Sequence, residues 1–218
     1  FAVYDTWSLA SASPERFLHC AHGTLESRPI KGTRPRGSTP ALDDKIAADL
    51  LASSKDRAEN IMIVDLLRND MAKSCRDGSI EVPQLCALEK FSNVHHLVST
   101  IRGTLRTDSS PLEALRDCFP GGSITGAPKI QAMGVIAELE PHARGPYCGA
   151  MGYIGFDGQM DTNILIRTAI LKGRDVYFHA GGGIVADSAA GAEYNETLDK
   201  ASGLIAALSD TPAGVRSG

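Results

Sequence analysis

The 218-residue chain carries 22 Lys+Arg against 26 Asp+Glu, a net charge of −4, with 43% hydrophobic and 22% charged residues. That balance excludes the broad basic surface that grips a phosphate backbone, so no nucleic-acid partner is expected, and the apolar content is that of a packed chain. No apolar run approaches the ~20 residues of a membrane span, so no membrane partner is expected.

Residues 1–9 are rich in aromatic and β-branched side chains and predict strand. Residues 16–20 and 25–30 predict two more strands, joined by the hairpin signal His22-Gly23. Residues 31–40 hold two Gly, two Pro and three basic residues and read as a loop. Thr39 is placed to cap a helix that starts at Pro40 and runs to about residue 54. A second helix is predicted over about residues 56–73. Its middle, 61–67, is apolar on nearly every side except Asp65, which reads as burial. Residues 79–82 and 94–105 predict strands, and residues 112–118 a short helix. A Gly/Pro-rich loop at 120–129 leads into a helix ending near residue 139. Residues 147–156, 163–172 and 175–180 predict strands, the last broken by Gly181-Gly182-Gly183. A final helix spans about residues 188–208, and residues 209–218 read as a flexible tail. No repeat or low-complexity linker divides the chain. The expectation is one α+β domain over residues 1–208 with long antiparallel strands.

Phe1 stands where an initiator Met would, which reads as a processed or truncated piece of something longer, and no signal peptide follows it. The scattered Cys20, Cys75, Cys86, Cys118 and Cys148 form no CxxC pair, so reduced thiols and a cytoplasmic location are expected.

Two helices carry the first chemical signal. At 100° per residue, Glu193, Glu196 and Lys200 share about 60° of arc. The plain alternative is a solvated face with a Glu196–Lys200 pair worth about 0.3–0.5 kcal/mol. Asp56 and Glu59 stand at i and i+3 near the start of an apolar helix, where acidic residues also complement the helix dipole. Two acidic faces beside apolar surface would suit a hard cation such as Mg²⁺, which takes oxygen ligands and keeps water positions. The glycine loops say less. Residues 121–129 begin like a phosphate-binding loop, but Ala127-Pro128-Lys129 stands where a Walker motif needs Gly-Lys-Ser/Thr, so an NTPase is rejected. Gly181-Gly182-Gly183 is either a plain turn or a place where backbone N–H groups approach an anion. His95 and His96 are adjacent in a strand and point to opposite faces.

Longer words are more specific. Ser13-Pro14-Glu15-Arg16-Phe17-Leu18, Pro29-Ile30-Lys31-Gly32-Thr33-Arg34-Pro35-Arg36 and the run from Ala58 to Asp70 resemble the chorismate-utilising enzymes. So do His95-His96-Leu97-Val98-Ser99, Gly122-Ser123-Ile124-Thr125-Gly126-Ala127-Pro128-Lys129, Ala180-Gly181-Gly182-Gly183-Ile184-Val185 and Glu193-Tyr194-Asn195-Glu196-Thr197. The motifs come in the family's order over about residues 10–208. The resemblance implies an antiparallel two-sheet sandwich with flanking helices, of which this chain is the C-terminal, motif-bearing part without the N-terminal strands.

Lys31 separates branches of the family. Pro-Ile-Lys-Gly-Thr resembles the aminodeoxychorismate synthase component I branch, of p-aminobenzoate and folate biosynthesis, where others usually have Pro-Ile-Ala-Gly-Thr. The resemblance then implies that Glu59 and Glu196 hold Mg²⁺ on the ring carboxylate of chorismate, with Glu193 and Asp56 as acidic support. Tyr147, Arg167, the Gly183 N–H and Lys200 would hold the substrate carboxylates, and Gly126 and Ala127 would approach the ring. Lys31 would attack ring C2, with Arg34 and Arg36 favouring its neutral form, while Glu15 protonates the departing C4 hydroxyl. His96 matches a family histidine tied to acid–base work. Ammonia would come from a glutamine amidotransferase subunit. The competing readings are C2 amination, as in anthranilate synthase component I, and a truncated, non-catalytic scaffold.

Overall fold

The computed structural model describes residues 1–186 and 188–209. In chain order its strands are β1 (Ala2–Val3), β2 (Ser8–Ser11), β3 (Arg16–Ala21), β4 (Thr24–Ser27), β5 (Ile30–Pro35), β6 (Glu81–Lys90), β7 (Val94–Thr104), β8 (Ala150–Ile154), β9 (Met160–Ile164), β10 (Thr168–Lys172) and β11 (Asp175–Phe178). The helices are α1 (Pro40–Ala52), α2 (Ser54–Met71), α3 (Pro111–Cys118), α4 (Lys129–Leu139) and α5 (Ala190–Ser209), with a single 3₁₀ turn at Gly122–Ile124. The expected α+β class with two antiparallel sheets and flanking helices is present. Ser209 closes α5 instead of opening a tail, and the rest of the expected tail, 210–218, lies outside the described residues.

The chain forms two compact units. The larger comprises Glu15–Ala143 and Cys148–Ile164, and the smaller is built from Phe1–Pro14, Arg144–Tyr147 and the stretch from Leu165 onward.

In the larger unit seven strands pair antiparallel in the order β5-β7-β4-β3-β9-β8, with β6 also paired to β7. The β3–β4 hairpin turns at His22 and Gly23, both with positive φ, as the dipeptide predicts. Burial alternates along β4 and β9 and is continuous over residues 97–101 of β7, the core including Leu18, Leu25, Leu97, Ile101, Met160 and Ile164. Ile63, Val64, Leu67 and Met71 of α2 are buried as well, each apolar side chain worth about 1.5–3 kcal/mol when taken from water. The helix starts follow the chemistry of their caps. The Thr39 hydroxyl accepts from the Leu42 N–H ahead of Pro40, the Ser53 hydroxyl accepts from the Asp56 N–H, and Ser110 and Glu113 form a reciprocal capping box.

The buried Asp43 of α1 knots that helix to the sheet. It accepts from Arg36 Nε and Nη2, the Gly37 N–H and His95 Nε2, each at 2.8 Å. These donors, the Arg36 guanidinium first, hold its carboxyl well below the usual carboxylate range.

Several strand expectations are corrected. Residues 31–35 are not loop: β5 pairs with β7, and its Gly and Pro residues are absorbed by a register shift between Ile30 and Thr33. The strand read at 79–82 continues as β6 to Lys90, bent by register shifts, with Cys86 at positive φ. The single strand expected over 163–172 is two. β9 ends at Ile164, Arg167 takes a positive φ, and β10 begins at Thr168 in the other sheet. The middle of α2 is buried on one side only, since Ile61 and Met62 are exposed.

The smaller unit has a four-stranded antiparallel sheet, ordered β1-β2-β10-β11, and α5. The Thr168 hydroxyl donates to the Ser11 hydroxyl across β10 and β2 at 2.8 Å. No helix among the described residues is long and apolar enough to cross a membrane. All five cysteines are free thiols and buried, as their spacing leads one to expect.

Candidate functional site

The larger unit carries the lysine. The register shift in β5 and a positive φ at Gly32 set the backbone around Lys31. A Cβ at Gly32 would stand 3.0 Å from both the Asp56 side chain and Leu50 Cδ1, so only glycine lets this segment lie against α1 and α2. Lys31 Nζ donates to the Ser123 carbonyl at 3.4 Å, which ties the lysine motif to the glycine-rich motif 92 residues away.

The two arginines beside Lys31 are engaged elsewhere. Arg34 pairs with Asp56 at 2.8 Å and Arg36 with Asp43, so carboxylates offset most of the positive field that the sequence offered to Lys31. Asp56 therefore stands as the partner of Arg34. Glu59 lies one turn further along α2, 4.0 Å from Lys55. His96 Nδ1 shares a hydrogen bond with the Thr33 hydroxyl at 2.8 Å, and its ring meets Phe91 edge-on at 5.3 Å, while His95 is buried on Asp43. The two histidines thus diverge, as strand alternation requires. Glu15 is half-buried at the entrance to β3, its carbonyl accepting from the Ile164 N–H.

The glycine-rich segment is packed onto the same unit. A Cβ at Gly121 would lie 2.7 Å from Ile164 Cδ1, and one at Gly122 2.6 Å from Leu66 Cδ2. Gly126 adopts φ +136°, a conformation that L side chains rarely adopt, and Ala127 is exposed beside it.

The smaller unit gathers Tyr147, Glu193, Glu196 and Lys200 around Gly181 and Gly182. Glu193, Glu196 and Lys200 share one face of α5. A Cβ on Gly182 would stand 3.2 Å from Glu193 Oε2 and 3.5 Å from Glu196 Oε1, so both carboxylates face one glycine. Lys200 Nζ lies 2.6 Å from Glu196 Oε1 and donates to the Gly181 carbonyl at 3.2 Å. Glu193 is buried and accepts from the Ser188 hydroxyl at 2.5 Å. The Tyr147 hydroxyl lies 3.3 Å from where a Gly181 Cβ would be. Arg167 occupies the positive-φ position before β10, its carbonyl accepting from the Ala12 N–H, and Gly183 is exposed.

Sequence reasoning missed three contributors. Ser123 receives Lys31 through its carbonyl, which any residue could supply. Arg144 lies 5.9 Å from the Tyr147 ring centre, and His179 meets that ring at 5.2 Å. Their signals were weak: Arg144 sits three residues before Tyr147, and His179 two before Gly181.

Among the described residues, no three of His, Cys, Asp and Glu are grouped to hold a metal unaided. The carboxylates facing Gly182 are oxygen donors of the kind Mg²⁺ prefers, and that ion needs only one or two of them when water and ligand oxygens fill the remainder.

The chorismate binding enzyme family matches residues 1–206. Aminodeoxychorismate synthase component 1 of Escherichia coli is 51% identical over 208 residues, 95% of this chain and 46% of its own length. Anthranilate synthase component 1 of Geobacillus stearothermophilus is 48% identical, over 94% of this chain and 40% of its own length. The crystal structure of anthranilate synthase component I from Streptococcus pneumoniae superposes with a TM-score of 0.83 at 40% identity, over 92% of this chain and 44% of that one. The chain spans less than half the length of these curated relatives. A family match over residues 1–206, near 50% identity and a shared fold lead to one conclusion: the chain belongs to the chorismate binding enzyme family.

Proposed function

We propose that this chain is the catalytic part of an aminodeoxychorismate synthase component I. It would aminate chorismate at C4 with ammonia from a glutamine amidotransferase subunit, as a cytoplasmic step toward p-aminobenzoate and folate. The observation that carries this reading is Lys31. It stands in the Pro29-Ile30-Lys31-Gly32-Thr33 motif, and its Nζ lies 3.4 Å from the Ser123 carbonyl of the second motif, so the amine is oriented instead of trailing in solvent.

In this reading the Lys31 amine attacks ring C2, the ring double bonds shift, and the C4–O bond breaks as Glu15 supplies the proton that releases water. Ammonia then adds at C4 and the shift reverses, expelling Lys31. The net change replaces C4–OH with C4–NH₂, releases water and involves no oxidant. His96 relays protons at the ring. Tyr147, Arg167, Lys200 and the Gly183 N–H hold the two substrate carboxylates, and Gly126 and Ala127 bound the ring. Glu59, Glu193, Glu196 and Asp56 are the residues assigned to Mg²⁺, and the ion, when bound, neutralises carboxylate charge and orients the ring.

The test is product analysis with chorismate, Mg²⁺ and ammonium, with and without an added aminodeoxychorismate lyase. p-Aminobenzoate formed only with the lyase supports C4 amination. Anthranilate formed directly assigns the chain to the C2 chemistry named for its 48%-identical relative. No product from a chain that also fails to bind chorismate with Mg²⁺ would leave a scaffold.

A further inference from the structure

The segment between the 3₁₀ turn and α4 is held at both ends by one face of α2. At its start, Gly122 lies against Leu66, where a Cβ would be 2.6 Å from Leu66 Cδ2. At its end, Lys129 Nζ pairs with Asp70 Oδ2 at 2.5 Å and donates to the Cys118 carbonyl at 2.8 Å. Leu66 and Asp70 are i and i+4, adjacent turns of the same face. Residues 123–128 therefore bridge two fixed points. Within that bridge lie the Ser123 carbonyl that receives Lys31, and Gly126 and Ala127.

The second anchor is a largely buried ion pair. The Asp70 side chain is 3% exposed and that of Lys129 13%. Asp70 also pairs at 3.0 Å with Lys73, which is half-exposed. Removing the Lys129 ammonium would thus leave Asp70 with a charged partner but leave the Cys118 carbonyl and the end of the segment without theirs. An exposed loop lysine would have no such partners. Lys129 spans three pieces of chain at once: the end of the glycine-rich segment, α2 and the end of α3.

We infer that Lys129 is a positioning residue: by clamping the segment end to Asp70 and the Cys118 carbonyl, it fixes the Ser123 carbonyl against Lys31 and Gly126–Ala127 at the ring. This role rests on the C4-amination reading above. Lys129 acts through its neighbours and takes no part in bond making.

The experiment compares Lys129→Met, Lys129→Arg and the unaltered chain. Amide hydrogen exchange is read by segment, and kcat and KM for chorismate are measured with Mg²⁺ and ammonium, normalised to folded protein. Lys129→Met is expected to speed exchange about tenfold in residues 121–128 while α2 and β7 keep their protection. It should lower kcat about tenfold with KM changed less than about threefold, as displacement of reacting groups by fractions of an ångström does. Lys129→Arg should restore both. Exchange that rises equally across α2, α3 and α4 with kcat per folded molecule unchanged would show a structural ion pair only and overturn the inference. If exchange rises only in 121–128 but the unaltered chain converts no chorismate, the anchor stands and the functional reading beneath it fails.

Discussion

His95 Nε2 and Asp43 Oδ1 meet at 2.8 Å inside the larger unit, with the imidazole fully buried. The carboxylate can only accept, so Nε2 is the donor, while Nδ1 has no hydrogen-bond partner among the described residues. The same carboxylate takes Arg36 and the Gly37 N–H, which ties α1 to the stretch that begins with Lys31.

That cluster predicts an acid-sensitive fold. The Asp43 carboxyl is held low in the folded chain by Arg36 first, then by the Gly37 N–H and His95. The unfolded chain, with an ordinary carboxyl near about 3.9, binds the proton more readily. The stabilisation is therefore fully present above that value and is lost as pH falls toward the depressed folded value. Urea midpoints followed from pH 7 to pH 3 should fall below about pH 4, and less steeply in Asp43→Asn. Identical slopes in the two proteins would remove Asp43 from the account.

Lys31→Ala should abolish C4 amination, with a loss of about a thousandfold or more for a covalent route deprived of its nucleophile. Circular dichroism and chorismate binding should remain near normal, because the hydrogen bond that the Lys31 amine makes among the described residues is to a carbonyl at 3.4 Å. Product formation at the full rate in this variant, followed by liquid chromatography, would sink the covalent route.

Magnesium dependence should trace to the carboxylates that face Gly182. Glu196→Gln removes the charge paired with Lys200, and Gly182→Ala pushes a methyl into the space the carboxylates share. Each should raise the Mg²⁺ concentration needed for half-maximal turnover about tenfold or more. Removal of the ion by EDTA should stop turnover, and added Mg²⁺ should restore it. Unchanged magnesium curves in both variants would place the ion elsewhere.

Thiol chemistry gives a fourth check. Burial pushes the Cys118 thiol up to about 12 and the Cys75 thiol up to about 11. At pH 8 the Cys118 thiolate fraction is about 10⁻⁴, and alkylation needs the thiolate. Iodoacetamide should leave both residues unmodified in the native chain and label all five cysteines in guanidinium, as read by mass spectrometry. Rapid native labelling of Cys118 would show that its surroundings open.

Local signals were legible where their cause was local. Thr39-Pro40 and His22-Gly23 each announce an element boundary through their own hydrogen bonds or backbone preference. The grouping of Glu193, Glu196 and Lys200 followed from helical spacing alone. What failed was set by distant partners. The Gly and Pro of residues 31–35 spell a loop, yet pairing with β7 draws them into a strand. Ile164-Leu165-Ile166 spells uninterrupted strand, and nothing in that run marks the turn to the other sheet, where Arg167 adopts a conformation usually left to glycine. The meetings of Lys31 with Ser123 and of Lys129 with Asp70 join residues 92 and 59 positions apart, beyond any periodicity.

The break at residues 165–167 also bears on the order in which the chain takes shape. The larger unit is complete once Ile164 has been made, whereas β2, written near the start, finds its neighbour β10 only later, with Ser11 and Thr168 separated by 157 positions. During synthesis the seven-stranded sheet has its whole sequence available while β2 is paired on the β1 side alone. The other edge of β2 therefore stays open, and ready to pair with the wrong neighbour, until β10 emerges.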